Sequence, residues 1–308
     1  MLEVQFAPLQ GYTDAAYRRF HSEVYGSCIG YYFSPFIRVE KGNVRNKDLK
    51  DILPENNKGI NLVPQIIVNS VSEFKILVDA IEALGYNQID INMGCPFPLQ
   101  TGKGRGSGLL SRIDVVKDLM EEVKKCQEIS FSIKMRLGLN DCNESVKLLP
   151  LLNNTPLRQI VIHPRIGRQQ YKGDVDNEAF DYLYNEIAHS IIYNGDILGV
   201  DDICEIEARY PRLSGVMIGR GLLATPSMAM EYKQGICLDG EQKLSLFLDL
   251  HEKLFHHYSE ILQGDAQLLM KMKSVWDYQE MAIGHKALKS IKKSTTIAKY
   301  QAAVSAIQ

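Results

Sequence analysis

LVPQIIVNSVSEFKILVDAIEALGYNQIDINM, residues 62–93, contains two short apolar runs separated by an amphipathic segment. The runs at 62–68 and 87–93 are rich in β-branched residues, which predicts strands. Between them, Ser70 is a candidate N-cap, Glu73 completes a capping box and Gly85 is a stop signal. This pattern predicts a helix over 70–85. The stretch is therefore a strand–helix–strand unit, the connection that parallel strands require.

The same alternation continues along the chain. Apolar runs that predict strands fall at residues 3–9, 28–36, 62–68, 87–93, 130–136, 158–164, 190–196 and 214–219. Helix-like segments such as 111–126 lie between them. Continuous apolar strands separated by helices indicate a parallel sheet that is buried on both faces. Eight such units favour an α/β fold of the (β/α)8 TIM barrel type, and an open doubly wound sheet is the alternative.

The pattern changes near residue 239. Residues 241–308 carry apolar residues at helical spacing without a strand candidate, which predicts an all-helical C-terminal domain. We therefore place the barrel in residues 1–238 and the helical domain in residues 239–308. From Gly264 onward, seven lysines accompany three acidic residues. This excess is typical of a solvated helix face, and a nucleic-acid surface would show it as well.

The composition of the 308 residues excludes several classes of protein. The formal net charge is -2, so any surface that binds a polyanion must be local. The six cysteines form no CxxC pair, which indicates reduced thiols and neither a disulfide framework nor a zinc site. No apolar run is long enough to span a membrane, and the N-terminus shows no secretory signal. We expect a cytoplasmic monomer with no metal and no membrane partner.

Polar residues cluster at the C-terminal ends of the predicted strands, where a barrel builds its active site. They are Gln65, Asn92, Lys134, Arg136, His163, Arg165, Asn194, Gly195, Asp196, Gly219 and Arg220. Lys134 and Arg136 are two residues apart on one strand, so their side chains point to the same face. Cationic and titratable groups on successive strands predict an anionic or electron-rich ligand. The turns YNGD and IGRG follow the last two strands, where barrels often bind phosphate.

Cys95 lies between Gly94 and Pro96, directly after the strand predicted at 87–93. A thiol at this place could be packed in the core, bind a metal or react. Glycine and proline disfavour regular structure there, and no adjacent histidine or aspartate would activate a nucleophile. A thiol of near-normal pKa can instead act as a general acid that protonates a carbanion-like carbon.

The segment TGKGRGSG, residues 101–108, follows Cys95 closely in the chain. Its spacing matches neither the P-loop nor the G-x-G-x-x-G pattern. A basic, glycine-rich segment beside a cationic barrel mouth predicts a mobile active-site loop, and a plain connector is the alternative.

A series of motifs, in order along the chain, resembles those of the tRNA-dihydrouridine synthases. The motifs are FAPLQGYTD (6–14), PQIIV (64–68), DINMGCP (90–96), GSGLL (106–110), IKMRLG (133–138), IHPR (162–165), YNGDI (193–197) and GVMIGRGLLATP (215–226). The resemblance is strong over residues 4–230 and continues weakly through MKMKSVWDY. It implies an FMN-binding barrel followed by a helical domain that binds tRNA.

The resemblance also implies a reaction. NADPH, with NADH as the alternative reductant, would reduce the bound FMN, which would pass a hydride to C6 of a uracil in tRNA. Cys95 would give the proton to C5. Lys134 would lie near the electron-rich edge of the flavin and stabilise its reduced anion. The residues that would hold FMN are Pro8, Leu9, Gln10, Gln65, Lys134, His163, Asn194, Gly195, Asp196, Gly219 and Arg220.

Contacts with tRNA follow from the same resemblance. Asn92 and Arg136 would hold the flipped uracil, because chemistry on a base requires it to leave the stack. The basic loop and the lysine-rich tail would contact phosphates without reading sequence. The other residues expected at tRNA are Arg38, Lys103, Arg105, Arg165, Lys271 and Lys273.

The motif FIRVE, residues 36–40, resembles the bacterial subgroup that acts on uridine 16 of the D-loop. Two departures from the family pattern are Leu9, in place of a methionine, and Pro164, directly after His163. Two rival interpretations remain. One is an FMN barrel that acts on a small molecule, such as a dihydroorotate-type dehydrogenase, and the other is a non-catalytic RNA-binding module.

Overall fold

The structure is a computed structural model that describes residues 1–307. The strands are β1 (Glu3–Phe6), β2 (Tyr31–Phe33), β3 (Val39–Glu40), β4 (Asn43–Val44), β5 (Leu62–Val63), β6 (Gln65–Ile66), β7 (Gln88–Met93), β8 (Ser130–Gly138), β9 (Leu157–Ile166), β10 (Ser190–Tyr193) and β11 (Gly215–Ile218). The helices are α1 (Ala15–Tyr25), α2 (Asn46–Asp51), α3 (Val71–Glu82), α4 (Pro98–Thr101), α5 (Ile113–Lys125), α6 (Asn143–Asn153), α7 (Asn177–Glu186), α8 (Val200–Arg209), α9 (Arg220–Ala224), α10 (Met228–Gln234), α11 (Gly240–Ile261), α12 (Asp265–Val275), α13 (Glu280–Lys293) and α14 (Ile297–Ser305).

The barrel closes at Pro64, where the chain changes from one neighbouring strand to another. Within residues 1–307, nine parallel strands form one sheet in the order β5-β2-β1-β11-β10-β9-β8-β7-β6. The two ends of this order, β5 and β6, are consecutive segments on either side of Pro64. Val63 pairs with β2 and Gln65 pairs with β7, so the chain changes partner at the residue that lacks an N–H. The ring therefore has eight strand positions. The predicted TIM barrel is confirmed, and the open sheet is wrong.

Helix α3 shows how closely local signals fix an element. The Ser70 side chain accepts a hydrogen bond from the Glu73 backbone N–H, as the capping box predicts. The Glu73 carboxylate, however, accepts from the backbone N–H of Asn69, one residue earlier than in the standard motif. The helix ends at Glu82, and Gly85 follows with φ +85°, a conformation that favours glycine.

Two strands that carry predicted site residues, β8 and β9, run further than the sequence predicts, whereas β1, β10 and β11 end earlier than predicted. Strand β8 extends to Gly138 and β9 extends to Ile166. The backbone stays extended through Pro164, so His163 and Arg165 are both strand residues. The short hairpin β3–β4 was not predicted, because its strands have only two residues each and show no periodicity.

The C-terminal region is helical and packs on the barrel through α1. Helix α11 begins at Gly240, with Asp239 as its N-cap. Trp276 is fully buried and donates its indole N–H to the Tyr300 hydroxyl at 2.8 Å. Asp14, the N-cap of α1, accepts a hydrogen bond from the Tyr258 hydroxyl at 2.7 Å. The domain boundary at residue 239 stays a prediction. Among residues 1–307, the structure contains no helix with the length and apolar character that crossing a membrane requires.

Candidate functional site

Two adjoining cavities open at the C-terminal ends of the barrel strands. The larger has a volume of about 420 Å³ and includes Cys95 in its wall, and the smaller has a volume of about 80 Å³. They share a lining formed by Pro8, Leu9, Lys134, His163, Tyr171 and Arg220. Together they form one groove.

The structure brings most of the predicted site residues into this groove. All eleven residues expected to hold FMN line it, namely Pro8, Leu9, Gln10, Gln65, Lys134, His163, Asn194, Gly195, Asp196, Gly219 and Arg220. Cys95, Asn92 and Arg136 line the larger cavity. The other six residues expected at tRNA lie outside the lining, and several of these positions are buried or bonded within the protein.

Lys134 and Asn194 meet across the barrel mouth. The Lys134 Nζ donates to the Asn194 Oδ1 at 2.5 Å, and Asn194 in turn donates to the Met217 carbonyl at 2.7 Å. Burial lowers the pKa of Lys134 to about 8, and the neighbouring Arg136 acts in the same direction. At neutral pH this lysine still carries its proton, but it gives that proton up more readily than a solvent-exposed lysine does.

His163 is a neutral imidazole among cations. Burial holds its pKa well below the usual range, and the nearby Arg136 and Lys134 act in the same direction. The guanidinium of Arg165 lies 3.1 Å from His163 Nε2. Because a guanidinium can only donate, Nε2 is the acceptor and the ring proton is on Nδ1. His163 therefore offers an N–H donor to a ligand.

Arg165 is used within the protein. It is buried, forms a two-pronged ion pair with Asp196, and donates to the Gly173 carbonyl at 2.7 Å. Arg220 donates to the same Asp196 carboxylate at 3.1 Å. The hydrogen bond from Arg165 holds the pKa of Asp196 below its usual range. The expectation that Arg165 contacts tRNA therefore does not match its position, because its donors serve Asp196 and the backbone.

The lining of the groove carries more cationic side chains than carboxylates, despite Asp196. Arg136 donates to the Ile166 carbonyl at 3.0 Å, and its guanidinium carbon lies 5.4 Å from the centre of the Tyr171 ring. Arg220 lies 4.4 Å from the centre of the same ring. Burial lowers the pKa of Arg136 to about 10, so it stays charged at neutral pH. An anionic or electron-rich ligand fits this environment.

Cys95 is a buried, protonated thiol at the edge of the larger cavity. Burial raises its pKa, and the hydrogen bond from the Phe97 backbone and the charges of Arg136 and Lys134 only partly oppose this rise. Its backbone N–H donates to the Asn92 side-chain oxygen at 2.8 Å. A thiol that keeps its proton at neutral pH can donate that proton, which is the property of a general acid.

The segment after Cys95 is folded against it. Helix α4 and a 3-10 helix over Gly106–Leu109 replace the predicted mobile loop. Ser107 donates both its backbone N–H, at 3.0 Å, and its hydroxyl, at 3.1 Å, to the Cys95 carbonyl. Gly106 has φ +59°, and a Cβ there would lie 2.6 Å from the same carbonyl. Glycine is therefore required for the segment to approach Cys95 this closely.

This segment carries one buried cation, Arg105, and one exposed cation, Lys103. Arg105 is buried, forms an ion pair with Glu73, and donates to the Val39 carbonyl at 3.1 Å. Its predicted contact with phosphate does not match this position, because it links the segment to α3 and β3. Lys103 is exposed, as a phosphate contact requires. Arg38 is half-buried, directly before the hairpin β3–β4.

The two lysines predicted to contact tRNA from the C-terminal region are also bonded internally. Lys271 pairs with Asp14 at 2.8 Å and donates to the Gly11 carbonyl, which joins α12 to the barrel. Lys273 donates to the Ser294 carbonyl. The exposed lysines of the C-terminal region lie instead on α13 and α14. Lys286, Lys289 and Lys293 share one face of that helix, because they are spaced three and seven residues apart.

Several residues of the groove were missed by sequence reasoning. Asp90 lies beside Gln65, just outside the lining of the groove, and its spacing of two residues from Asn92 was a signal that both point into the barrel. Tyr278 from the C-terminal region lines the larger cavity and contacts Tyr12 edge to face, with ring centres 5.5 Å apart. No sequence pattern connects two residues this far apart in the chain. Among the described residues, no group of acidic, cysteine or histidine side chains is arranged to hold a metal ion.

Comparison with known families places this groove in context. A family model described as "Dihydrouridine synthase (Dus)" matches residues 5–306. The chain is 28% identical over 260 residues to a probable tRNA-dihydrouridine synthase 2 of Bacillus subtilis, covering 80% of this chain and 77% of that protein. It is 28% identical over 283 residues to a probable tRNA-dihydrouridine synthase of Helicobacter pylori, covering 88% and 81%.

Solved structures share the barrel at low sequence identity. The old yellow enzyme of Trypanosoma cruzi superposes with a TM-score of 0.52 at 11% identity, covering 77% of this chain and 89% of that one. A morphinone reductase superposes with a TM-score of 0.52 at 12% identity, covering 77% and 87%. At this level the likeness supports the fold.

Proposed function

Since the chain belongs to the dihydrouridine synthase family and is a flavin-dependent oxidoreductase acting on CH–CH bonds, we infer that its substrate is a uridine in the D-loop of tRNA. The observation that carries this inference is Cys95, a thiol kept protonated by burial at the edge of a cationic groove. A reduction of the uracil C5–C6 bond needs a hydride at C6 and a proton at C5. Cys95 is the proton donor.

The residues of the groove fit FMN. The smaller cavity has the backbone of Gly195 and Gly219 in its wall, where a phosphate can approach closely, with Arg220 beside it. Three further donors, from Gln65, Lys134 and His163, lie along the larger cavity. When bound, FMN supplies the hydride for C6 after reduction by NADPH. Lys134 would stabilise negative charge on the reduced ring.

The larger cavity fits a base that has left its stack. Asn92 and Arg136 line it together with Cys95, so they are the residues that we assign to holding the uracil. Arg136 stays charged and can donate to a carbonyl oxygen of the base. The folded segment after Cys95 holds the thiol in place through the bonds of Ser107, so the proton donor is positioned before substrate arrives.

The outer surface fits the tRNA backbone. Lys103 beside the groove and Lys286, Lys289 and Lys293 on α13 are exposed cations. They can neutralise phosphates without reading sequence. From the motif around Arg38 we assign uridine 16 as the target, and this assignment rests on the resemblance of FIRVE alone.

The test is nucleoside mass spectrometry of tRNA from cells that lack the gene. We expect dihydrouridine to be lost at one D-loop position and restored by the wild-type gene, and position mapping tests the assignment to uridine 16. A second measurement is flavin released on denaturing the purified protein. A colourless protein that binds tRNA would contradict the proposal and support an RNA-binding module. Unchanged dihydrouridine with bound flavin would indicate a small-molecule substrate.

A further inference from the structure

A chain of hydrogen bonds runs beneath the groove from Cys95 to a buried carboxylate. The Cys95 backbone N–H donates to Asn92 Oδ1 at 2.8 Å, and the Gly94 N–H donates to the same oxygen at 3.0 Å. Asn92 Nδ2 donates to Gln65 Oε1 at 2.7 Å. Gln65 Nε2 donates to Asp90 Oδ2 at 2.8 Å. The side chains of all three linked residues are buried.

Barrel register explains why these side chains meet. Gln65, Asp90 and Ser132 are direct partners on β6, β7 and β8, so they are neighbours on the same face of the sheet. Asn92 lies two residues further along β7 on that face, nearer the mouth of the barrel. Ser132 donates to the second oxygen of Asp90 at 2.5 Å, on the side away from Gln65. Asp90 is therefore the common end of the network.

The backbone N–H at one end of this hydrogen-bond chain and the carboxylate at the other each fix the direction of its hydrogen bonds. A backbone N–H can only donate, and an ionised carboxylate can only accept. Each end therefore requires the same orientation of the amides of Asn92 and Gln65, which the outline of a side-chain amide alone would not reveal. In this orientation the Asn92 oxygen is already occupied by two backbone donors. The hydrogen that remains free on each amide is an N–H.

We propose that Asp90 is a positioning residue that, through Gln65, holds Asn92 as a pure hydrogen-bond donor toward the base, so that Asn92 recognises a carbonyl oxygen of the uracil and not its N3–H. This inference rests on the proposed function for the identity of the base. The polarity of the chain itself does not depend on that function. Asp90 touches neither ligand, and its effect reaches the groove through two side-chain amides.

The consequence for specificity is chemical. A donor held in a buried site discriminates strongly, because a ligand that presents another donor leaves both groups unpaired. An unrestrained asparagine could rotate its amide and accept from such a ligand. Here rotation would place the Asn92 Nδ2 against two backbone N–H groups and its oxygen against the Gln65 oxygen, so it is strongly disfavoured.

The test exchanges the carboxylate at position 90 and the amide at position 92, the charged and neutral side chains that Gln65 links. Asn92→Asp places a carboxylate oxygen against the Gln65 side-chain oxygen, and the two acceptors repel. If the Gln65 amide rotated to donate to the new carboxylate, its oxygen would instead face the carboxylate of Asp90. We expect the unfolding temperature at pH 8 to fall by about 5 °C. Asp90→Asn alone leaves a consistent hydrogen-bond chain and removes a buried charge, so it should not lower the unfolding temperature at this pH. In the double variant the new amide at position 90 can donate to Gln65, which can then donate to the new carboxylate at position 92. The unfolding temperature should therefore return most of the way.

In the double variant, we expect stability to recover while turnover stays low. In the double variant the side chain at position 92 presents only acceptors, so we expect tRNA reduction to remain about a hundredfold or more below wild type although the fold has recovered. Recovery of turnover with stability would overturn the donor role. If the effects of Asn92→Asp and Asp90→Asn on the unfolding temperature simply add in the double variant, the claim that hydrogen bonds couple the two positions is wrong.

Direct repulsion between two carboxylates is distinguished by Gln65→Met. In that background the link is cut, so the coupling between positions 90 and 92 should largely vanish. Coupling of undiminished size would overturn the role of Gln65. All of these unfolding measurements are made on the full chain and need no substrate. Failure of the proposed function would leave their outcome unchanged, so the two failures can be told apart.

Discussion

Buried Arg105 and partly buried Glu73 form an ion pair that ties the segment supporting Cys95 to α3. Glu73 also accepts from the Asn69 backbone at the start of α3, so one carboxylate connects a helix start to the active-site segment. The side chain of Arg105 is 6% exposed. The most basic stretch near the groove thus uses one of its charges to fold the segment, and leaves Lys103 for contacts outside.

Removing Arg105 should therefore loosen the segment. Arg105→Ala leaves the carboxylate of Glu73 largely buried without its partner, and we expect the free energy of unfolding to fall by about 3 kcal/mol. Urea unfolding measures the loss, and faster alkylation of Cys95 would show that the segment opens locally. The matched control is Lys103→Ala, which should change stability by less than about 0.5 kcal/mol. Equal stability of the two variants would contradict the structural role of the pair.

Cys95→Ala should separate binding from chemistry. The variant loses the proton donor but keeps the backbone bonds to Asn92 and Ser107, so FMN and tRNA should still bind. We expect turnover, measured as dihydrouridine formed on tRNA, to fall by about a hundredfold or more. Cys142→Ala, at the start of α6 and away from the groove, is the control and should be fully active. Normal turnover in Cys95→Ala would remove the general-acid assignment.

The three exposed lysines of α13 should account for part of the salt dependence of tRNA binding. Substituting Lys286, Lys289 and Lys293 with alanine should weaken binding and reduce the slope of log affinity against log salt by about 2 to 3. Filter binding at several salt concentrations measures this slope. Lys117→Ala, on the exposed face of α5, is the control. An unchanged slope in the triple variant would show that this face of α13 does not meet the tRNA backbone.

Lys271 should behave differently from these lysines. Its ion pair with Asp14 and its bond to the Gly11 carbonyl join α12 to the barrel. We expect Lys271→Ala to lower the unfolding temperature, whereas the α13 substitutions should leave it unchanged. Thermal unfolding of the two variants in parallel measures this difference. A stable Lys271→Ala variant with weak tRNA binding would restore the original sequence-based role.

Asp90 should make stability depend on pH. Burial raises its pKa to about 6 in the folded protein, although hydrogen bonds from Ser132 and Gln65 oppose that rise, while the ordinary value is 3.8. Between these values the folded state holds a proton that the unfolded chain has lost. This contribution is therefore present at low pH and is lost as pH rises through about 6. Asp90→Asn lacks this titration. The difference in free energy of unfolding between Asp90→Asn and wild type should therefore shift in favour of the variant by about 2–3 kcal/mol as pH rises from 4 to 7.

Urea unfolding of wild type and Asp90→Asn across that pH range measures the difference. Ser132→Ala is the control, because it keeps the carboxyl group and loses only a bond that lowers its pKa. Its stability should fall with rising pH at least as steeply as that of wild type. A difference between Asp90→Asn and wild type that does not change with pH would show that Asp90 titrates normally.

The sequence by itself determined the barrel and most of its groove. Parallel strands of a barrel all end at one face, so polar residues at strand ends must converge whatever the details of packing. This is why Lys134, Arg136, His163 and Asn194 could be placed together from their positions in the chain. The glycine and proline around Cys95 likewise showed that the thiol leaves the strand.

Only the tertiary structure decided what each charged group does. Arg105, Arg165, Lys271 and Lys273 have the residue type of phosphate contacts, and each binds a partner within the protein instead. The partners are remote or follow no periodic spacing, so local pattern does not reveal them. The hydrogen-bond chain from Cys95 to Asp90 depends in the same way on the register between two strands, β6 and β7. A side chain's role follows from what lies within about 3 Å of its polar atoms, and folding alone sets that distance.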